Sequence, residues 1–219
     1  MSEVSKALSV APIGAAAPQA ADGGELVLRP DHARIAEWIA PGANLLDLGC
    51  GDGALLAWLR HHKGCRGYGV EIDAAEVLAC ARRGVDVVQQ NIEEGLGMFR
   101  GNRFDVCVLS MAIQATHQTE KVLREMSEVA NEGIVSFPNF GHWFHVWSIL
   151  LGRMPVTREM PYQWYDTPNL HLTTIRDFEL FLSRIDLTIT GRVFLDEGRE
   201  VHRFASKRAT QAIYRFRRR

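Results

Sequence analysis

The sequence predicts an α/β protein whose mostly parallel sheet carries helices on both faces, and three observations lead there. From Asn44 onward, short apolar runs alternate with segments of helical period, the pattern of successive strand–helix–strand units. A glycine-rich segment, Asp47-Leu48-Gly49-Cys50-Gly51-Asp52-Gly53, follows the first apolar run without a break, as a ligand-holding strand-to-helix turn does. The run Val106-Cys107-Val108-Leu109 is apolar at every position, which suits a strand covered on both sides. With 219 residues and 47% hydrophobic side chains, the chain suits one domain with a sizeable core.

The elements follow in order. Residues 1–24 are rich in alanine, carry Pro12 and Pro18 and lack the cationic start and unbroken apolar run of a secretory signal; they read as a flexible tail before a folded domain over 25–219. A leading helix near Asp31–Ile39 sets Ile35, Trp38 and Ile39 on one side, and Pro41-Gly42 stops it. Strand one is Asn44–Leu48, and the helix after it turns Leu55, Leu56 and Leu59 inward. Strand two covers about Gly67–Ile72. Asp73-Ala74-Ala75-Glu76 then has capping-box spacing, with Asp in place of Ser or Thr, and opens the next helix. Strand three is Val85–Gln89 and strand four Phe104–Leu109. A helix near Glu120–Ala130 aligns Val122, Met126 and Val129, and Gly133–Phe137 forms strand five. From Pro138 to Thr173 the rhythm breaks, with four prolines and many amphipathic aromatics, as in an insertion or lid over the sheet edge. Thr174 caps a final helix through Phe181, and strands near Leu187–Phe194 and Gln211–Phe216 finish the sheet.

Charge and cysteine usage exclude several classes. The net charge is −1 and the isoelectric point about 6.7, so no global field favours nucleic acid or an anionic membrane. Basic Arg215, Arg217, Arg218 and Arg219 read as a solvated chain end. Cys50, Cys65, Cys80 and Cys107 lack C-x-x-C spacing, so neither a disulfide framework nor a zinc site is expected and the compartment is reducing, hence cytoplasmic. The apolar stretch around Val146–Leu151 is far short of the roughly 20 residues that span a bilayer.

The chemistry concentrates at the first turn. Its glycines accept positive φ without steric cost and let backbone approach a ligand, and the helix after it offers free N–H groups. Gly49-x-Gly51-x-x-Ala54 also satisfies the dinucleotide pattern, and Glu71 falls about 20 residues on, where NAD proteins place their ribose-binding acid. Glycines alone therefore do not separate an NAD-dependent oxidoreductase from a binder of S-adenosylmethionine (AdoMet). Charge does. Asp47 stands two residues before the first glycine and Asp52 inside the loop. A pyrophosphate would face both carboxylates, each repulsion reaching about 4 kcal/mol at 4 Å in an effective dielectric of 20. AdoMet instead brings an ammonium and a sulfonium. Glu71 is then placed to accept the ribose hydroxyls, in hydrogen bonds worth about 1.5–3 kcal/mol each. Ile72 offers adenine an apolar face, and Asn91 and Ile92 its edge. Ser110, Met111 and Gln114 follow strand four at the crevice where open α/β sheets hold ligands.

Asp47-Leu48-Gly49-Cys50-Gly51-Asp52-Gly53 with Glu71 resembles the AdoMet-binding motif of class I methyltransferases. Four further strings are similar to the methionine-biosynthesis family MetW: Leu28-Arg29-Pro30-Asp31, the stretch from Gly133 to Gly141, the stretch from Gly152 to Thr157, and Tyr165-Asp166-Thr167-Pro168-Asn169. The resemblance runs from about Leu26 to Phe216. It implies a Rossmann-like class I methyltransferase fold with a seven-stranded sheet, AdoMet or S-adenosylhomocysteine as ligand, and a role beside a MetX-type homoserine O-acyltransferase. It carries AdoMet contacts onto Asp47, Gly49, Gly51, Glu71 and Asn91; relatives often have Asp at the last position, and Asn91 accepts a hydrogen bond without bringing charge. Cys50 and Gly53 belong to the same loop.

No catalytic residue is assigned by the sequence. Methyl transfer from a sulfonium depends chiefly on positioning, worth up to about 7–11 kcal/mol, although an oxygen or carbon acceptor still wants a base. Candidate bases lie in the lid: His142, His145, Tyr162, Tyr165, Asp166 and His171. His142-x-x-His145 has no third ligand spaced with it, so no metal is expected. Two functions stay open: an accessory or regulatory subunit of the acyltransferase, and a small-molecule methyltransferase in its own right.

Overall fold

Five of the strands run parallel, in keeping with the strand–helix alternation of the sequence. The computed structural model describes residues 27–101 and 103–219, and the expected tail at 1–24 lies outside them. Strands β1 (Asn44–Leu48), β2 (Arg66–Glu71), β3 (Val87–Gln89), β4 (Phe104–Ser110) and β5 (Ala130–Pro138) pair in parallel. Strands β6 (Leu187–Asp196), β7 (Arg199–Glu200) and β8 (Gln211–Arg218) complete the sheet, in the order β3-β2-β1-β4-β5-β8-β6-β7. β8 lies antiparallel between β5 and β6.

The sheet has eight strands where seven were expected. The additional one is the two-residue β7, folded back on β6 with Leu195 opposite Glu200. Glu197 and Gly198 between them have φ of 47° and 84°, the paired positive φ of a two-residue hairpin turn. A glutamate at the first turn position hides that signal in the sequence.

Seven helices are described: α1 (Pro30–Trp38), α2 (Ala54–Lys63), α3 (Ala74–Arg82), α4 (Thr119–Val129), α5 (Trp143–Leu150), α6 (Ile175–Arg184) and the short α7 (Ala205–Arg208). Side chains alternate across a strand, so β1 sends Leu46 and Leu48 into one core layer and Leu45 into the other. The first layer packs Val122, Leu123 and Met126 of α4 with Phe178 and Leu182 of α6. The second packs Ile35 of α1, Leu55 and Leu59 of α2 and Cys80 of α3. Among the described residues no helix is long and apolar enough to cross a membrane.

Segment 138–173, expected as a lid, is tied down at both ends by one residue. Asn139 is fully buried. Its Nδ2 donates to the carbonyls of Ser206 and Ala209, and its Oδ1 accepts from the amides of Gly141 and Ile175. All four hydrogen-bonding positions of the amide are thereby used.

Strand β5 needs a glycine where it meets β8. Gly133 lies opposite Phe216, and a Cβ at Gly133 would collide with the Phe216 ring. That ring is fully buried and has nowhere to move. Gly133→Val is therefore expected to destabilise the fold by about 3 kcal/mol, read as a lower urea midpoint; an unchanged midpoint would contradict this packing.

Candidate ligand site

The carboxyl ends of β1, β2 and β4 converge where the strand order reverses, because β1 has β2 on one side and β4 on the other. Open α/β sheets place their ligands at such a crevice. The turn from β1 to α2 forms its floor. Gly49, Gly51 and Gly53 have φ of 64°, 54° and 74°, a left-handed run that only glycine adopts cheaply. A Cβ at Gly53 would press on Cys80 Sγ at 2.9 Å, and one at Gly49 would meet Ala112 Cβ at 3.2 Å, whereas one at Gly51 would enter open space. Gly51 is thus the position at which backbone borders the crevice.

Glu71 shapes this loop. Its carboxylate is 4% exposed. Oε2 accepts from the Gly51 amide at 2.9 Å, and Oε1 accepts from the Ile72 and Asp73 amides at 2.7 and 3.0 Å. A carboxylate has about four acceptor sites, so three are already used by backbone. Glu71 offers a ribose one free lone pair, rather than the two-hydroxyl contact expected, unless an amide yields its place. The same bonds explain the Asp73 cap. Asp73 Oδ1 accepts from Ala75 and Glu76 as a capping box predicts, while the Asp73 amide goes to Glu71 instead of to Glu76.

Of the expected site residues, Gly51 and Ile72 are tied to Glu71 by their amides, Asp47 lies near enough to feel the Glu71 charge, Gly49 and Gly53 belong to the same turn, and Ile72 is 55% exposed. Cys50 turns the other way: its Sγ lies 3.7 Å from Cys80 Sγ in the interior, and that contact, with burial, raises the pKa of the thiol. Asn91 spends its Oδ1 on the Glu93 amide, capping the 3-10 turn Ile92–Glu94, and Ile92 packs on the core. Ser110 ends β4 as part of a buried polar cluster and not as a free loop hydroxyl. Met111 follows with φ of 53°. Its amide donates to Ser136 O and Oγ, and its carbonyl accepts from Gln114 Nε2 at 2.8 Å, which holds the strained residue from both sides. The Gln114 carbonyl accepts from the Leu170 and His171 amides, joining the lid segment to the crevice wall.

The charges differ from the sequence reading at one point. Asp52 was expected to face the ligand with Asp47, but it pairs with Arg83 at 2.6 Å and accepts from the Ala54 amide, so its charge is already matched. Asp47 is 3% exposed. Burial raises its pKa to about 7, with Arg29 opposing and Glu71 and Asp31 adding to the rise. Arg29, Asp31, His32 and Ser136 were not picked out as site residues. Arg29 Nη2 donates to Asp31 Oδ2, His32 Nε2 and Ser110 Oγ, and Ser110 Oγ reaches Asp31 and Ser136. Burial alone would raise the Asp31 pKa, but Arg29, His32 and the Ser110 hydroxyl hold it below its ordinary value. The sequence carried a signal for two of these residues in the string Leu28-Arg29-Pro30-Asp31.

In the lid segment, His142 Nδ1 accepts from the Phe144 amide as the cap of α5, and His145 is buried with its ring stacked on Phe140 at 5.3 Å. Burial lowers the pKa of both. Tyr165 is 70% exposed and Asp166 and His171 are exposed; Tyr162 is half-buried. Of these six residues His171 lies beside Gln114, lining one cavity with it, while His142 and His145 are taken up by capping and packing.

Asp47 and Glu71 place two buried carboxylates at the carboxyl-end halves of β1 and β2. Asp47 also sets a pH dependence. Its folded pKa lies above the usual 3.8, so its contribution to stability is full below about pH 4 and is lost as pH rises through about 7. Asp47→Asn should accordingly melt higher than the parent at pH 8, by an amount on the order of a few kcal/mol, with the gap closing toward pH 4. A gap independent of pH in thermal melts would refute this.

Comparison with known proteins agrees with the architecture. Solved structures similar to this chain include a TehB-like SAM-dependent methyltransferase from Corynebacterium glutamicum, at TM-score 0.60 and 14% identity over 90% of this chain and 91% of that one. A SAM-dependent methyltransferase from Archaeoglobus fulgidus matches at TM-score 0.64 and 13% identity over 84% and 90%. The plantazolicin methyltransferase BpumL, solved with SAH, matches at TM-score 0.60 and 13% identity over 87% and 81%. The fold is that of the class I methyltransferases. A bifunctional methionine biosynthesis protein MetXA/MetW of Rhodopirellula baltica is 33% identical over 189 residues, covering 81% of this chain, which spans 30% of that relative's length. The sequence model described as methionine biosynthesis protein MetW matches residues 29–215, and the chain belongs to the MetW family.

Proposed function

We propose that this protein binds AdoMet or S-adenosylhomocysteine between β1 and α2 and serves methionine biosynthesis as an accessory or regulatory subunit of a MetX-type homoserine O-acyltransferase in the cytoplasm. Residues 25–219 form the ligand-binding domain, with 138–173 as its lid. The observation that carries the partnership is the Rhodopirellula relative, whose name joins a MetXA and a MetW unit in one chain. Fusion holds two modules at an effective concentration in the millimolar range, which is of use only to units that act together. Exposed Trp143, Trp147, Trp164 and Tyr165 in the lid segment support a partner surface. The ligand reading rests on the open space over Gly51, the buried Asp47 and Glu71, and the apolar face of Ile72.

A second reading, a small-molecule methyltransferase, is favoured by the likeness to solved methyltransferases, one of them holding SAH. The lid histidines speak for the first reading, since His142 and His145 are engaged in capping and packing. Co-purification with the acyltransferase, then assay of acyl and methyl transfer with and without AdoMet, separates the two. An acyltransferase indifferent to this chain would reject the first, and S-adenosylhomocysteine release with a pathway metabolite would establish the second.

Two further outcomes are expected. Glu71→Ala should weaken AdoMet binding at least about tenfold in calorimetry, and unchanged affinity would remove Glu71 from the site. AdoMet affinity should rise between pH 6 and 8, because a cation favours ionised Asp47, whose pKa in the free protein is about 7. A flat profile would count against contact with Asp47.

A further inference from the structure

Helix α5 has the composition of a buried helix and the position of a surface one. It contributes a single side chain to the interior, His145, whose ring stacks on Phe140 at 5.3 Å. Ser148 is half-buried and returns its hydroxyl to the Phe144 carbonyl at 2.8 Å. The other seven residues from Trp143 to Leu151 are all apolar and all exposed. At 100° per residue they cover an arc of about 220° around the helix axis. Trp143, Trp147 and Leu150 follow one another along the middle of that arc at i, i+4 and i+7. A helix on the surface of a globular protein turns a polar face to water, whereas one that is apolar nearly all round is covered on most sides.

The helix is also held in place before anything docks on it. His142 Nδ1 caps its first turn at the Phe144 amide, and the Leu151 and Gly152 amides close its last turn on the Trp147 and Ile149 carbonyls. Asn139, with all four of its hydrogen bonds made, fixes the chain just before it. A fixed apolar face loses little freedom on binding. By their fractional exposures the seven side chains offer on the order of 800 Å², about what one partner gives to a standard-size interface.

Three kinds of occupant would cover this helix differently. A helix that lies on a lipid surface carries Lys and Arg on a polar face above its apolar one, and α5 has neither residue. A second copy packed helix against helix about a two-fold axis covers one line of contact on each, far less than the exposed arc. A groove that receives the helix from the side covers the arc in full. The Rhodopirellula relative, whose name joins a MetXA and a MetW unit in one chain, points to the protein that provides the groove.

We infer that α5 is the docking element for the MetX-type acyltransferase, seated in an apolar groove of that partner with Trp143, Trp147 and Leu150 as anchors. This rests on the partnership proposed above and deepens it by naming the element that makes the contact.

The experiment is calorimetric titration of the full chain with the homoserine O-acyltransferase of the same organism. Leu150→Asp should weaken the complex at least about thirtyfold and Trp147→Ala at least about tenfold, as truncated anchors do. The same change on another helix, Leu78→Asp at an exposed position of α3, should leave the affinity within about twofold. Should the α5 variants fail to fold, hydrogen exchange on the wild-type chain reads the same face, and the amides of 143–151 should slow at least about tenfold when the acyltransferase is added. A complex formed equally well by Leu150→Asp and the parent, or unchanged exchange at 143–151, overturns the docking role of α5 and leaves the partnership standing. A wild-type chain that does not bind the acyltransferase overturns the partnership and the docking with it. A dimer of the chain alone, or adsorption to phosphatidylglycerol vesicles, that Leu150→Asp abolishes gives α5 another occupant and likewise overturns the inference.

Discussion

The crevice depends on one buried carboxylate. Glu71 collects the amides of Gly51, Ile72 and Asp73, so the glycine loop after β1, the end of β2 and the start of α3 share a single anchor. An amide buried without a partner costs roughly 1–3 kcal/mol, and Glu71 relieves several at once. The left-handed run at Gly49, Gly51 and Gly53 is held in this way before any ligand arrives. A preorganised loop loses little freedom when it binds.

Around that anchor the protein buries more charge than a structural core requires. Asp31, Asp47 and Glu71 are each less than 5% exposed, and Arg29 stands among them. Asp31 is compensated by Arg29 and Ser110 and Glu71 by backbone, whereas at Asp47 burial outweighs the opposing charge of Arg29 and raises its pKa to about 7. Uncompensated buried charge opposes folding, and a partly unfavourable group at a crevice is common where function sets the residue. The proposed cationic ligand would supply what Asp47 lacks.

The segment from 138 to 173 joins this crevice to the surface. It is anchored at its base by Asn139 and along its course by the Gln114 carbonyl. Its outward face carries Trp147 and Leu150 at 57% and 72% exposure, and α5 contributes only His145 to the interior. Firm attachment within and apolar exposure without is an arrangement a lone soluble domain does not need.

Much of this was legible in the residues themselves. The limits of β1, the Asp73 and Thr174 caps, the inward faces of α2 and α4 and the glycine turn after β1 all follow from local rules: periodicity, side-chain acceptors at helix starts, and glycine where φ is positive. The resemblance to MetW was legible for the same reason, since its strings are local. Pairing across the chain was not. Nothing near Asp52 announces that Arg83 neutralises it, nothing near Glu71 announces that three amides occupy it, and nothing near Arg29 announces Ser110, 81 residues away. Sequence alone determined which residues could make each bond; only the tertiary structure decided which bonds are made, because a buried polar group takes whatever partner the packing of the sheet brings within reach.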